Sequence, residues 1–153
     1  MCAPSQLPKL PHASGNIRVG IDIVRVSHIA DSIERFGQRF LRRIYTAEEL
    51  AYADTSPALR IERLAARFAA KEAALKALRL ADTGVGWTDL EVHRAPSGDC
   101  ELRLHRSART AVLNDGISEI ALSLSHEGDY ATAIVMAQRG SDVVPPEAIQ
   151  PMT

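Results

Sequence analysis

Long apolar runs are missing from this 153-residue chain, and none approaches the ~20 consecutive apolar residues that carry a helix across a bilayer. Cysteine is nearly absent. The two that occur, Cys2 and Cys100, can build no disulfide framework and lack metal-ligand spacing, which fits a reducing compartment. An excess of one charge is missing as well: 18 basic and 19 acidic side chains leave a formal net charge of -1, so nothing global argues for a nucleic acid partner. The first fifteen residues have no apolar centre of the kind a secretory signal needs, and a cytoplasmic protein without a membrane partner is expected. What is present is ordinary for a soluble domain: 46% hydrophobic and 24% charged residues, in a length that can bury one substantial core.

Proline collects at the ends. Pro4, Pro8, Pro11 and Gly15 mark residues 1–15 as a leader, and Pro145, Pro146 and Pro151 mark 139–153 as a tail, leaving a folded domain at 16–138. That domain opens on a strand in which Ile17, Val19, Ile21 and Ile23 alternate with Arg18, Gly20, Asp22 and Val24. Asp22 therefore points away from the isoleucines, next to a glycine that leaves space for something to approach. A helix over 27–44 follows, with Ile29, Ile33, Phe36, Phe40 and Ile44 on one side. His28, Arg35, Arg39 and Arg42 form a basic stripe on another, either a solvated face or a docking surface for an acidic partner. Thr46-Ala-Glu-Glu49 is a capping-box pattern for a short helix ending near Asp54.

The strongest helix former is Leu64–Leu78, which holds seven alanines and neither glycine nor proline. Ile61, Leu64, Phe68, Leu75 and Leu78 span about 100° of its wheel and are expected to be buried. Arg67 and Lys71 stand on one shoulder of that arc, Glu72 and Lys76 on the other. Such charges are either helix ion pairs worth about 0.2–0.5 kcal/mol or groups that hold a cation and a phosphate together. Beyond a break at Thr83-Gly-Val-Gly86, strands are expected over 87–94 and 100–106, a helix over 107–114, and a last strand pair over 117–125 and 130–137. The residues 131–137 are small and apolar throughout, so burial on both sides is expected there. His126 ends the first strand of that pair, as a structural residue or a ligand-binding one.

Gly20-Ile-Asp-Ile-Val24, Arg67-Phe-Ala-Ala-Lys-Glu-Ala73 with Lys76 following, and Leu124-Ser-His126 occur in that order. Together they resemble holo-acyl-carrier-protein synthase, the small bacterial 4'-phosphopantetheinyl transferase, over about 18–135. The resemblance implies an α+β fold, a small domain with a mainly antiparallel sheet packed around a long central helix. It also implies a Mg²⁺-dependent transfer of phosphopantetheine from coenzyme A to a serine of an acyl carrier protein, releasing adenosine 3',5'-bisphosphate. By position, Asp22 and Glu72 match metal-binding carboxylates, and Lys76 matches a lysine near the pyrophosphate that stabilises or protonates the departing phosphate. Arg67 and His126 match residues around the nucleotide phosphates. Two carboxylates suit Mg²⁺, which keeps waters and takes substrate phosphate oxygens. Lys71 is expected to be structural with its stem buried, phosphate contact being the lesser option, and the base is either Glu72 or a metal-bound water. The family works as a homotrimer with its site between subunits, which would set Asp22 and Glu72 against Arg67 or His126 of a neighbouring copy.

The chain departs from the family pattern in three places. His28 replaces an arginine expected to contact the carrier, with Arg25 where an acid is usual. Arg79-Leu-Ala-Asp82 intervenes before Thr83 and Gly84, the residues left to cover the coenzyme. The proline-rich ends lie outside the pattern. Two other readings compete: a non-catalytic module that binds coenzyme A or a carrier protein, and a magnesium phosphohydrolase. The first has no need of a metal clamp, and nothing in the sequence positions an attacking water for the second.

Overall fold

The computed structural model describes residues 16–140, so the expected leader and all but the first two residues of the expected tail lie outside the described residues. The elements run β1 (Ile17–Arg25), α1 (Val26–Ile44), α2 (Ala47–Asp54), α3 (Arg60–Ala77), β2 (Leu90–Arg94), β3 (Cys100–Leu104), α4 (Arg106–Asn114), β4 (Ile117–Glu127) and β5 (Tyr130–Arg139). β1, β5 and β4 form an antiparallel sheet in that spatial order, and β2 and β3 form a separate antiparallel hairpin. α3 lies across one face of the larger sheet, against β1 and β5. The expected α+β arrangement around a central helix is the one the chain adopts.

Close approach explains which face of α3 is buried. A Cβ built on Gly20 would stand 2.0 Å from the Ala73 carbonyl oxygen and 2.8 Å from the Ala77 nitrogen. What approaches the strand at Gly20 is thus the backbone of α3. Ala69, Ala70, Ala73, Ala74 and Ala77 are fully or almost fully buried, packed with Ala133, Val135 and Ala137 of β5. The expected arc is only partly covered: Leu64 and Leu78 are buried, whereas Ile61, Phe68 and Leu75 keep some exposure. With small residues on both surfaces, the alanine face rather than the leucine face gains the tightest packing.

Other elements differ locally from expectation. α1 is broken at Gly37, whose φ of 54° and ψ of -135° are not helical, so the basic stripe sits on two segments. Trp87–Asp89 forms a 3-10 turn instead of a strand start. There the Asp89 carboxylate accepts from Gly86 N at 3.2 Å, Arg106 Nε at 2.6 Å and Ser107 Oγ at 2.8 Å, interactions that substitute for a ladder. β5 is buried on one side only, because Ile134 and Met136 are 39% and 47% exposed in the single chain.

The capping box forms as read, with Glu49 N donating to Thr46 Oγ1 at 3.3 Å and Thr46 N to Glu49 Oε2 at 2.8 Å. Glu49 serves a second purpose. Its carboxylate is fully buried, pairs with Lys71 Nζ at 2.7 Å and accepts Val92 N–H at 2.8 Å. Lys71 also donates to the carbonyls of Ile44 at 2.7 Å and Trp87 at 3.1 Å. Lys71 is thereby a structural cation tying α3 to α2 and to the ends of two loops.

Candidate functional site

α3 divides the candidate residues between two places. Arg67 and Glu72 are five positions apart, about 140° around a helix, so they face different neighbours. On the β1 side, Lys76 Nζ pairs with Asp22 Oδ1 at 3.0 Å and donates to the Ile21 carbonyl at 2.9 Å. Glu72 lies close enough to feel both partners. Burial raises its pKa above the usual carboxylate range, the negative charge of Asp22 raises it further, and Lys76 partly offsets this. Thr132 Oγ1 donates to the Asp22 carbonyl at 2.8 Å and holds the strand in place behind the carboxylate.

This pair fits a hard divalent cation. It supplies oxygen donors only, and the described residues contain no cluster of three or more His, Cys, Asp and Glu of the kind that encloses a softer metal. Burial first, and repulsion from Asp22 second, hold the Glu72 pKa up, and a cation held by the two carboxylates would oppose both. Replacing Glu72 with glutamine removes that repulsion. The metal-free Glu72→Gln protein is therefore expected to unfold at a slightly higher temperature than wild type near neutral pH, while losing activity. A lower unfolding temperature in a thermal melt would contradict this account.

Arg67 and His126 belong to a cleft of about 710 Å³ that Asp22, Glu72 and Lys76 do not line. Tyr52, Arg63 and Arg67 form one wall, Arg94 and Cys100 another, and β4 from Leu122 to His126 the third. Arg67 is 3% exposed, its guanidinium lies 4.3 Å from the Tyr52 ring centroid, and its buried Nε has no hydrogen-bond partner among the described residues. Burial pulls its pKa below the usual arginine value, chiefly through lost hydration, with Glu49 opposing. A buried guanidinium with an unused N–H is suited to an anionic ligand. His126 Nδ1 lies 3.9 Å from Glu62 Oε2 at the exposed rim.

Arg63 and Arg94 were missed by sequence reasoning. Arg63 could have been found, since it sits one turn before Arg67; its Nη1 donates to the Tyr52 carbonyl at 2.9 Å and Thr55 Oγ1 at 2.7 Å. Arg94 comes from the separate β2–β3 hairpin and carried no local signal. Thr83 and Gly84 lie in the exposed turn beyond α3, where Thr83 Oγ1 donates to the Leu80 carbonyl at 2.5 Å and Gly84 has a φ of 78°. Neither lines the Arg67 cleft. His28, Arg35, Arg39 and Arg42 are all exposed on α1.

The chain is 48% identical over 120 residues to the holo-[acyl-carrier-protein] synthase of Koribacter versatilis, covering 78% of this chain and 95% of that one. It is 42% identical over 118 residues to the synthase of the same name from Gloeobacter violaceus, covering 77% and 89%. Among solved structures, the ACPS-CoA complex of Chronobacterium ammoniagenes superposes with a TM-score of 0.71 at 32% identity, over 81% of this chain and 98% of that one. The Helicobacter pylori holo-[acyl-carrier-protein] synthase in complex with coenzyme A gives 0.69 at 26% identity, over 78% and 99%. The family model described as 4'-phosphopantetheinyl transferase superfamily matches residues 18–135, which span both halves of the site, and the chain belongs to that family.

Proposed function

We propose that this protein transfers the phosphopantetheine arm of coenzyme A to a serine hydroxyl of an acyl carrier protein. The serine oxygen attacks the phosphorus bearing the pantetheine arm, the bond to the bridging pyrophosphate oxygen breaks, and adenosine 3',5'-bisphosphate leaves. Family membership supports the reaction, and the observation that carries it to this chain is the placement of the Asp22 and Glu72 carboxylates together beside Lys76. Asp22 and Glu72 would hold Mg²⁺, which, when bound, neutralises charge developing on the pyrophosphate. Lys76, paired to Asp22, would steady the departing phosphate. The cleft of Arg67, Arg63 and His126 takes the nucleotide phosphates. The serine proton passes to Glu72 or to water beside it.

The two halves of this site do not meet within one chain, and the sheet offers a reason. Ile17, Val19, Ile21 and Ile23 of β1 are 55–64% exposed, and Ile134 and Met136 continue that apolar face on β5. Such a contiguous patch is typical of an association surface. Copies of the chain packing through this face, as a homotrimer, would bring the carboxylates of one copy toward the arginine cleft of another. Met136→Arg is expected to lower the mass measured by light scattering and to abolish transfer; a wild-type protein that is already monomeric and active would overturn this assembly. The exposed arginines of α1 supply the docking face for the acidic carrier, and the cytoplasm, where coenzyme A and carriers are found together, is the assigned location. Among the described residues no helix is long and apolar enough to cross a membrane.

The test is to incubate the protein with coenzyme A, Mg²⁺ and an apo-acyl carrier protein and weigh the carrier. A gain of one phosphopantetheine is expected, falling about 100-fold or more in rate for Glu72→Gln. Tight binding without any product would favour a non-catalytic module instead.

A further inference from the structure

α1 begins without a cap of its own. Arg25 precedes it and makes no side-chain capping bond, and its first turn contains no acidic residue. The missing acceptors come from the turn between β4 and β5. Asp129 Oδ1 accepts the Ser27 N–H at 2.9 Å, Oδ2 accepts the Ser27 hydroxyl at 2.6 Å, and the Asp129 carbonyl accepts the Val26 N–H at 2.8 Å. These bonds satisfy donors that the helix itself leaves open. The Ser27 hydroxyl, followed by its N–H, holds the Asp129 carboxyl below the usual range, and the positive charges of Arg25 and His28 act in the same direction. The Arg25 guanidinium also lies 5.4 Å from the ring centroid of Tyr130, the first residue of β5.

The same hairpin therefore does two things: its β4 end carries His126 into the cleft, and its turn grips the start of α1. The grip matters because of Gly37. Its non-helical backbone uncouples the first segment of α1 from the second, so the first segment is oriented by its buried Ile29 and by its N-terminal attachment. We propose that Asp129 is a positioning residue that fixes the first turn of α1 to the hairpin bearing His126, so that the first segment of the carrier-docking helix, which bears His28 and Arg35, is oriented by the coenzyme-side strand. This rests on the docking role given to α1 above.

Two readouts test it: amide hydrogen exchange in residues 27–30, and the separate KM values for apo-acyl carrier protein and coenzyme A. In Asp129→Ala, exchange in the first turn is expected to quicken and the carrier KM to rise roughly three- to tenfold, with the coenzyme A KM and kcat nearly unchanged. Asp129→Asn keeps an acceptor oxygen for the Ser27 N–H and is expected to restore most of both. A thermal melt checks that each variant remains folded. Unchanged exchange in the first turn, a coenzyme A KM that rises as much as the carrier KM, or an Asn variant as impaired as the Ala variant would each overturn the proposal. Arg35→Ala, exposed on the same segment of α1 but away from the clamp, tests the docking role itself. An unchanged carrier KM there sinks that role and the proposal with it, whereas a raised carrier KM there with none in Asp129→Ala sinks the clamp alone.

Discussion

The Gly20→Ala protein is expected to unfold about 3 kcal/mol more easily than wild type, a drop of roughly 10 °C in Tm, and to lose transfer activity in proportion to its misplacement of Asp22. A methyl group at this position would fall 2.0 Å from the Ala73 carbonyl oxygen and 2.8 Å from the Ala77 nitrogen. Both are backbone atoms in the middle and last turn of α3, so no rotamer change can make room. The strand or the helix must move. Either shift breaks the register between Asp22, which pairs with Lys76, and Glu72, which shares its electrostatic field. Thermal melts followed by circular dichroism read the stability loss, and carrier mass read at a temperature where the variant is folded separates misplacement from unfolding. A Gly20→Ala protein within ~1 kcal/mol of wild type would show that β1 and α3 are not in close enough contact at Gly20 to exclude a methyl group.

Lys71→Met is expected to cost about 3–5 kcal/mol, because it leaves the Glu49 carboxylate buried without a counter-charge. Both side chains of that pair are 0% exposed, so no water can take the place of the lost ammonium. Burial already pushes the Lys71 pKa down, and the Glu49 carboxylate with its hydrogen bond, followed by the charge of Glu91, opposes that push. Neutralising the other partner is the informative second step. In Glu49→Gln/Lys71→Met the amide oxygen can still accept from Val92 N–H, a bond 2.8 Å long in the wild type, while the stranded charge is gone. The double variant is therefore expected to be more stable than Lys71→Met alone, measured by denaturant unfolding. If it were no more stable, the penalty would lie in lost packing rather than in charge. Transfer activity should follow stability in this series, in contrast to Glu72→Gln, where activity falls while stability rises.

How far the sequence could be read differs from residue to residue. The Thr46–Glu49 capping box was legible because capping is local: donor and acceptor lie within one turn. The alternation of Ile17, Val19, Ile21 and Ile23 identified a strand for the same reason. It said nothing about what covers those isoleucines, and among the described residues nothing does. The expected arc of α3 failed in part because hydropathy ranks leucine above alanine, whereas packing against Gly20 rewards the smallest side chain. Gly37 was concealed inside a good helical period, which one glycine does not erase.

Periodicity and motif order by themselves determined the element sequence, the family resemblance, and Asp22, Glu72, Lys76, Arg67 and His126 as the candidates. Tertiary structure alone decided what each faces. It made Lys71 the partner of Glu49, Gly20 the seat of a helix, Asp129 the cap of a helix far away in sequence, and it separated the carboxylates from the arginine cleft. The physical reason is that a side chain's type and spacing are properties of the chain, whereas its desolvation and its partners depend on segments brought together only by folding.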